Sequence, residues 1–262
     1  MGDPRPIGPR RPLPTFGGIS AYTTLGNSIY HSLQARAERR VAAGMSILAA
    51  YTWSKALGNV DGNTFGTGFG AAGIQDIFDL RADRAYLNFD IRHRLSLAFL
   101  YDLPALSNVQ PAVRYALGNW RVGAIITEQS GNAGAVGYGL DTTNTGLGSR
   151  PDQVAKATLP RGERSSQRWL NTAAFLPPAA GRFGNAARHV FHQPGINNVD
   201  FTIHRLFPIR ERHRVEFRAE FFNVLNHVNL GQIDGSIRSP AFGRINSAGD
   251  PRIMQLALKY SF

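Results

Sequence analysis

Four groups of residues have types and spacings that bear on chemistry. His189-Val-Phe-His192 sets two imidazoles three positions apart, a spacing that serves a metal when a further donor stands near. No carboxylate or third histidine is close in sequence, so no metal centre is expected. Asp90, Arg92, His93 and Ser96 are the residue types of acid–base or nucleophilic catalysis. On an extended chain neighbouring side chains point to opposite faces. His93 is then turned away from both Asp90 and Ser96, and no catalytic triad is buildable. Gly66, Gly68 and Gly70, interleaved with Phe65 and Phe69, lack the Gly-Lys-Ser/Thr and the following helix of a phosphate cradle. They read as a mobile outer loop. The fourth group is Arg214, Glu216, Arg218 and Glu220, whose charges alternate with apolar residues. Cysteine is absent, which excludes disulfides, Cys-ligated zinc, iron–sulfur clusters and thiol nucleophiles. The expectation is a protein that is not an enzyme and carries no cofactor.

The alternation of that fourth group runs through the chain. Period-2 patterning, the mark of a strand with two unlike faces, occurs at 28–40, 44–55, 89–103, 120–130, 199–207, 212–222 and 252–262. In 89–103, Phe89, Ile91, Leu95, Leu97, Phe99 and Tyr101 oppose Asp90, Arg92, Arg94 and Ser96. In 212–222, Val215, Phe217, Ala219 and Phe221 oppose the charged set. Most of these segments are far longer than the about five or six residues of a soluble strand. They match the about nine to eleven that a tilted strand needs to cross a bilayer. Apolar side chains facing lipid and charges facing a wet interior are the pattern of a transmembrane barrel. On that reading Arg92, Arg94, Arg214, Glu216, Arg218 and Glu220 are lumen-facing charges. Tyr51, Trp53, Tyr101 and Trp120 sit near strand ends, where amphipathic aromatics meet the membrane–water boundary. Arg205, His31, His93, His213 and Glu128 fall on the lipid side as misfits.

The gaps are uneven. Those near 56–88, 131–198 and 223–251 are long and rich in Gly or Pro, and the longest has room for small hairpins, for example around 135–140. The gaps after 40 and 207 are tight. The gap at 103–119 is long for a barrel turn. Outer-membrane barrels have short periplasmic turns and long outer loops, so the long gaps are assigned outward. A turn signal at Gly26-Asn27 adds an eighth strand at 16–23 and puts both termini on the periplasmic side. The fold class is therefore all-β: an antiparallel transmembrane β-barrel of about eight long strands at 16–262, behind a Pro/Arg-rich segment at 1–15. The partner is outer-membrane lipid, and the location is the outer membrane. Residues 1–17 carry no apolar signal-peptide core.

The chain is 262 residues long, with 43% in the hydrophobic class, and has 29 Lys+Arg against 18 Asp+Glu, a net charge of +11. Nucleic acid would need the basic residues and stacking aromatics on one face. Here they lie on opposite faces, so nucleic acid is not an expected partner. A soluble basic β-module remains the weakest rival.

Several stretches together resemble the late barrel of Oar-like TonB-dependent receptors: Ile29-Tyr-His-Ser-Leu-Gln-Ala-Arg-Ala-Glu-Arg-Arg40, Ala50-Tyr-Thr-Trp-Ser-Lys55, Phe89-Asp-Ile-Arg-His-Arg94 and Gly118-Asn-Trp120. Arg168-Trp-Leu-Asn-Thr-Ala-Ala-Phe175, Phe217-Arg-Ala-Glu-Phe-Phe-Asn-Val-Leu-Asn226, Phe242-Gly-Arg-Ile245 and Pro251-Arg-Ile-Met-Gln-Leu-Ala-Leu-Lys-Tyr-Ser-Phe262 continue the series. The resemblance spans residues 16–262. It implies the C-terminal part of a receptor barrel for uptake of a small substrate. It also implies that Leu258, Tyr260 and Phe262 form the signal read by the barrel-assembly machinery. The plug and the TonB-contacting box of such receptors have no counterpart in this sequence. Contact with the TonB system is therefore expected only through parts outside it, and transport by this chain alone is not expected. The rival within the membrane class is an autonomous eight-stranded structural or adhesive barrel, since eight strands can close around their own side chains.

Overall fold

The computed structural model describes residues 7–13, 15–16, 24–41, 44–61, 74–76, 78–145, 148–209 and 212–262. Seven long strands of nine to fourteen residues dominate it: β1 (Ser28–Val41), β2 (Met45–Gly58), β3 (His93–Asp102), β4 (Trp120–Gln129), β5 (Ile196–Pro208), β6 (Arg214–Phe222) and β7 (Ile253–Ser261). They pair in chain order as one antiparallel meander, and a two-residue strand, Ala85–Tyr86, joins the end of β2. Among the described residues the sheet is open, with β1 and β7 at its edges. The predicted strand at 16–23 and the Gly/Phe loop at 66–70 lie outside the described residues.

The registers make one continuous pattern. Arg39, Ile47, Phe99, Ala124, Phe201, Phe221 and Met254 form a single cross-strand row. One residue along, the row is Arg40, Ser46, Leu100, Gly123, Thr202, Glu220 and Gln255. A slip of one residue at any pair would mix the two faces. The alternation in the sequence therefore selects these pairings.

The hydrophobic core is not in this sheet. Its members are Val136, Ala157, Leu170, Ala174, Phe175, Ala186, Phe191, Ile233 and Ile245, all from the long connections. The seven strands contribute only Ala56 and Ala219 to the buried hydrophobic residues among those described. Leu33, Trp53, Met254, Leu256 and Leu258 on the apolar face stay exposed. A sheet in water must cover such a face with another layer; a barrel wall covers it with lipid. No described helix is long and apolar enough to cross a membrane.

The described parts of connections 59–92, 130–195 and 223–252 gather at one end of the sheet, and those of 42–44, 103–119 and 209–213 at the other. This is the alternation of long and short gaps that the sequence predicts. Four details differ. β2 continues to Gly58, so the first long loop starts three residues later than expected. β5 begins at Ile196, which ends the second long loop earlier. β3 begins at His93, not at residue 89. The longest loop pairs Ala133–Gly134 with Phe191–His192 and Asp152–Gln153 with Phe175–Leu176, rather than forming a hairpin around 135–140. The turn 103–119 contains a helix, Pro111–Leu117, with proline at its start, where the missing N–H costs nothing.

Candidate functional site: the loop cap over the sheet

Where β3 was expected to start, the chain leaves the sheet and a carboxylate takes over. The Ser54 N–H donates to the Arg92 carbonyl at 3.0 Å. Two residues on, the Ala56 N–H donates instead to Asp90 Oδ1 at 2.6 Å, and the Leu87 N–H returns to the Ala56 carbonyl at 3.1 Å. Asp90, 1% exposed, thus extends the ladder with its side chain. Its Oδ2 faces His192 Nε2 at 3.1 Å and Arg92 Nη2 at 3.4 Å. The Arg92 guanidinium lies over the Tyr86 ring, 5.3 Å from its centroid, and His192 packs against the same ring.

A second group joins the first two loops. Arg188 donates to the Gly58 carbonyl at 2.9 Å and its Nε lies 3.2 Å from Asp61 Oδ2. His189 Nδ1 sits 2.6 Å from the Tyr86 carbonyl. A carbonyl only accepts, so this nitrogen carries the proton. Its Nε2 is 3.4 Å from Asp61 Oδ2. Arg150 Nη2 pairs with Asp83 Oδ1 at 2.7 Å. Gln75 braces that pair, accepting from the Arg150 N–H at 2.7 Å and donating to the Gly184 carbonyl at 2.9 Å. Burial dominates the titration here. It raises the Asp83 carboxyl against the pull of Arg150. It lowers the His189 imidazole against Asp61 and the Tyr86 carbonyl, and lowers Arg188 against Asp61 and Asp83.

The third loop is tied to the second mainly through the backbone. Trp169 donates to Gly243 at 2.9 Å, Ile245 to Ser166 at 2.7 Å and Gly137 to Gly235 at 2.9 Å. Gln193 Oε1 accepts from the Ile233 N–H at 2.9 Å. The three loops are therefore one packed cap, not independent excursions.

Two hollows flank Phe89, which is 52% exposed. One, of about 610 Å³, lies where the three loops meet, between Asn88, Asn132, Gln193 and Gln232, with Gly134 and Ile233 behind. Among the described residues no charged side chain lines it, although the protein carries +11. The other, of about 510 Å³, lies on the polar face of the sheet beside Tyr30, Gln34, Thr52, Ser54, Ile91 and Arg94. Phe89 and Ile91 thus belong to the inner side, not to the lipid face the alternation suggested. Both hollows are open to solvent rather than enclosed.

The other predicted residues fall as follows. Arg94 is on β3 and lines the inner hollow. Arg92 precedes the strand and belongs to the cap. Arg214, Glu216, Arg218 and Glu220 share the polar face of β6, where Arg218 lies 3.6 Å from Glu216 and 3.5 Å from Glu220, and Glu216 faces His204 at 3.3 Å. Tyr51 and Trp53 lie toward the loop end of the apolar face, and Tyr101 and Trp120 at the turn end. Leu258, Tyr260 and Phe262 are exposed, with Leu258 and Tyr260 registered against Phe217 and Val215. His189 and His192 turn to different carboxylates, and among the described residues no three His, Cys, Asp or Glu side chains are grouped to hold a metal.

The buried partners Asp61, Asp83 and Arg150 were missed. Their partners lie far away in sequence, Arg150 being 67 residues from Asp83, and no periodicity marks such a pair. No curated protein and no solved structure matches the chain. A family model described as an outer membrane beta barrel domain matches residues 2–255, covering the first six strands of the meander, the three long connections and the first three residues of β7. The chain belongs to the outer membrane beta barrel domain family.

Proposed function

We propose that this barrel protein of the outer membrane is the wall and outer-loop cap of a TonB-dependent receptor of the Oar-like kind, which admits a small substrate. The observation that carries the reading is the cap itself. The first two loops are latched by buried ion pairs, the third is joined to the second by backbone hydrogen bonds, and an open hollow lined by uncharged side chains lies where they meet, beside a second hollow on the polar face. A purely structural barrel has no need of such a mouth. The ordered motifs that resemble the Oar-like late barrel support the same reading. The outward-facing Leu258, Tyr260 and Phe262 would be offered to the barrel-assembly machinery during insertion, and TonB would act through a part of the receptor outside this sequence.

The test uses intact cells that make the complete gene product. Trypsin is added outside, and cleavage is followed at Arg161, Arg164 and Arg168 in the second loop, with and without TonB. The reading predicts cleavage from outside at a rate that changes several-fold when TonB is removed. Equal rates would overturn the receptor reading in favour of a structural or adhesive barrel. Complete protection in intact cells would overturn the outward assignment of the loops.

A further inference from the structure

Arg205 lies on the apolar face of the wall, registered between Trp120 and Phe217, and is only 4% exposed. It is covered by the turn 103–119. Arg205 Nη1 donates to the Ala116 carbonyl at 2.7 Å, and Trp120 Nε1 donates to the same oxygen at 3.0 Å. The guanidinium sits 4.4 Å from the Phe207 centroid, 5.5 Å from Trp120 and 5.6 Å from Tyr115. Faces of aromatic rings attract a cation and replace part of its water. These contacts fix where the helix Pro111–Leu117 is. It lies against the outer, apolar side of the wall at the turn end, not below the barrel and not in its lumen.

The helix buries none of its own side chains. Val113 and Leu117, four apart on one face of the helix, are 38% and 58% exposed, Tyr115 is 60% exposed, and Val109, just before the helix, is 41% exposed. Arg114 is its one charged residue. At this end the wall presents Tyr101, Trp120 and Phe207 in successive cross-strand rows. The exposed stripe thus continues the lipid-facing surface at its boundary ring. An apolar helix face with a basic residue beside it, set at the boundary ring, is placed to lie in the headgroup region as interfacial helices do.

We propose that the helix Pro111–Leu117 is an interfacial anchor, embedded in the phospholipid headgroup region of the turn-side leaflet and pinned to the wall by Arg205. Arg205 is the clasp and the bilayer is the occupant of the apolar stripe. This inference is independent of whether the barrel transports anything.

The chain has no cysteine, so Leu117→Cys gives one labelling site in it. The variant, in the complete gene product, carries an environment-sensitive nitrobenzoxadiazole label in isolated outer membranes, to which nitroxide phospholipids are added. Ser107→Cys, in the same turn, is the control. The anchor predicts blue-shifted emission at 117, quenched several-fold more by a nitroxide near the headgroup than by one at the acyl end, with 107 water-like. Arg205→Met should weaken the quenching at 117 by freeing the helix from the wall. A water-like, unquenched label at 117 in the otherwise native protein overturns the anchor. Unchanged quenching in Arg205→Met overturns the clasp.

Discussion

Asp90→Ala should open the junction between β2 and the cap. Among the described residues the carboxylate is the acceptor for the Ala56 N–H, and Ala56 is 1% exposed. Removing it leaves a buried donor unpaired, at a cost of about 1–3 kcal/mol. Arg92 and His192 also lose their partner, but their side chains are 25% and 35% exposed and rehydrate, adding about 1 kcal/mol or less. The sum, about 1–4 kcal/mol, corresponds to roughly 5- to 700-fold more frequent opening, at 1.4 kcal/mol per decade. Asp90→Asn keeps a carbonyl oxygen for the Ala56 N–H and loses only the charge, so it should cost about 1 kcal/mol. Native-state hydrogen exchange of peptides covering 54–61 and 85–92, read by mass spectrometry in detergent-solubilised protein, measures the opening. The reasoning is refuted if Asp90→Ala exchanges within about twofold of the parent, or if Asn and Ala are equally damaging.

Other outcomes follow from single contacts. Leu97 faces outward at mid-strand, registered with Ala49 and Ile126; Leu97→Arg should cost about 2–4 kcal/mol in a lipid-based unfolding titration, and Ser96→Arg, on the polar face, within about 1 kcal/mol of nothing. A Cβ on Gly131 would stand 1.7 Å from the Gln193 carbonyl oxygen, so Gly131→Ala should displace the second loop, seen as faster tryptic cleavage there with the strand signal in circular dichroism retained. Burial holds the His189 pKa below its ordinary 6.5, so its contribution to cap stability is complete above that value and is lost as pH falls below it. Exchange of 186–192 should therefore rise on acidification, by at most about tenfold per pH unit. His189→Asn, which can keep a donor to the Tyr86 carbonyl, should flatten that dependence. Asp83, raised by burial, works in the opposite sense, its contribution fading as pH rises above the ordinary carboxylate range.

The wall was legible because a strand's side-chain period is strict. Two unlike faces over nine or more residues leave one pairing for each neighbour, and the observed rows follow it. Alternation misled at Phe89 and Ile91 for a physical reason. The pattern of residue types runs on while the backbone leaves the sheet, and Asp90 replaces the lost carbonyl with its side chain. The long loops were legible as loops from Gly and Pro, but not as a folded cap. Leu170, Phe175, Ile233 and Ile245 meet across gaps with no repeat to reveal them. Arg205 stood out as a cation on a lipid face. What sequence did not supply was its cover, because the helix that provides it is short and sits in a segment read only as an overlong turn.

The central claim is that the apolar face of this meander meets lipid and the polar face meets water. Single cysteines at 94 to 101 in β3, placed one at a time in the otherwise cysteine-free chain, test it in isolated outer membranes through their reaction with a polar maleimide. The account predicts slow labelling at 95, 97, 99 and 101 and fast labelling at 94, 96, 98 and 100, alternating along the strand. Uniform labelling, or the opposite phase, would contradict it.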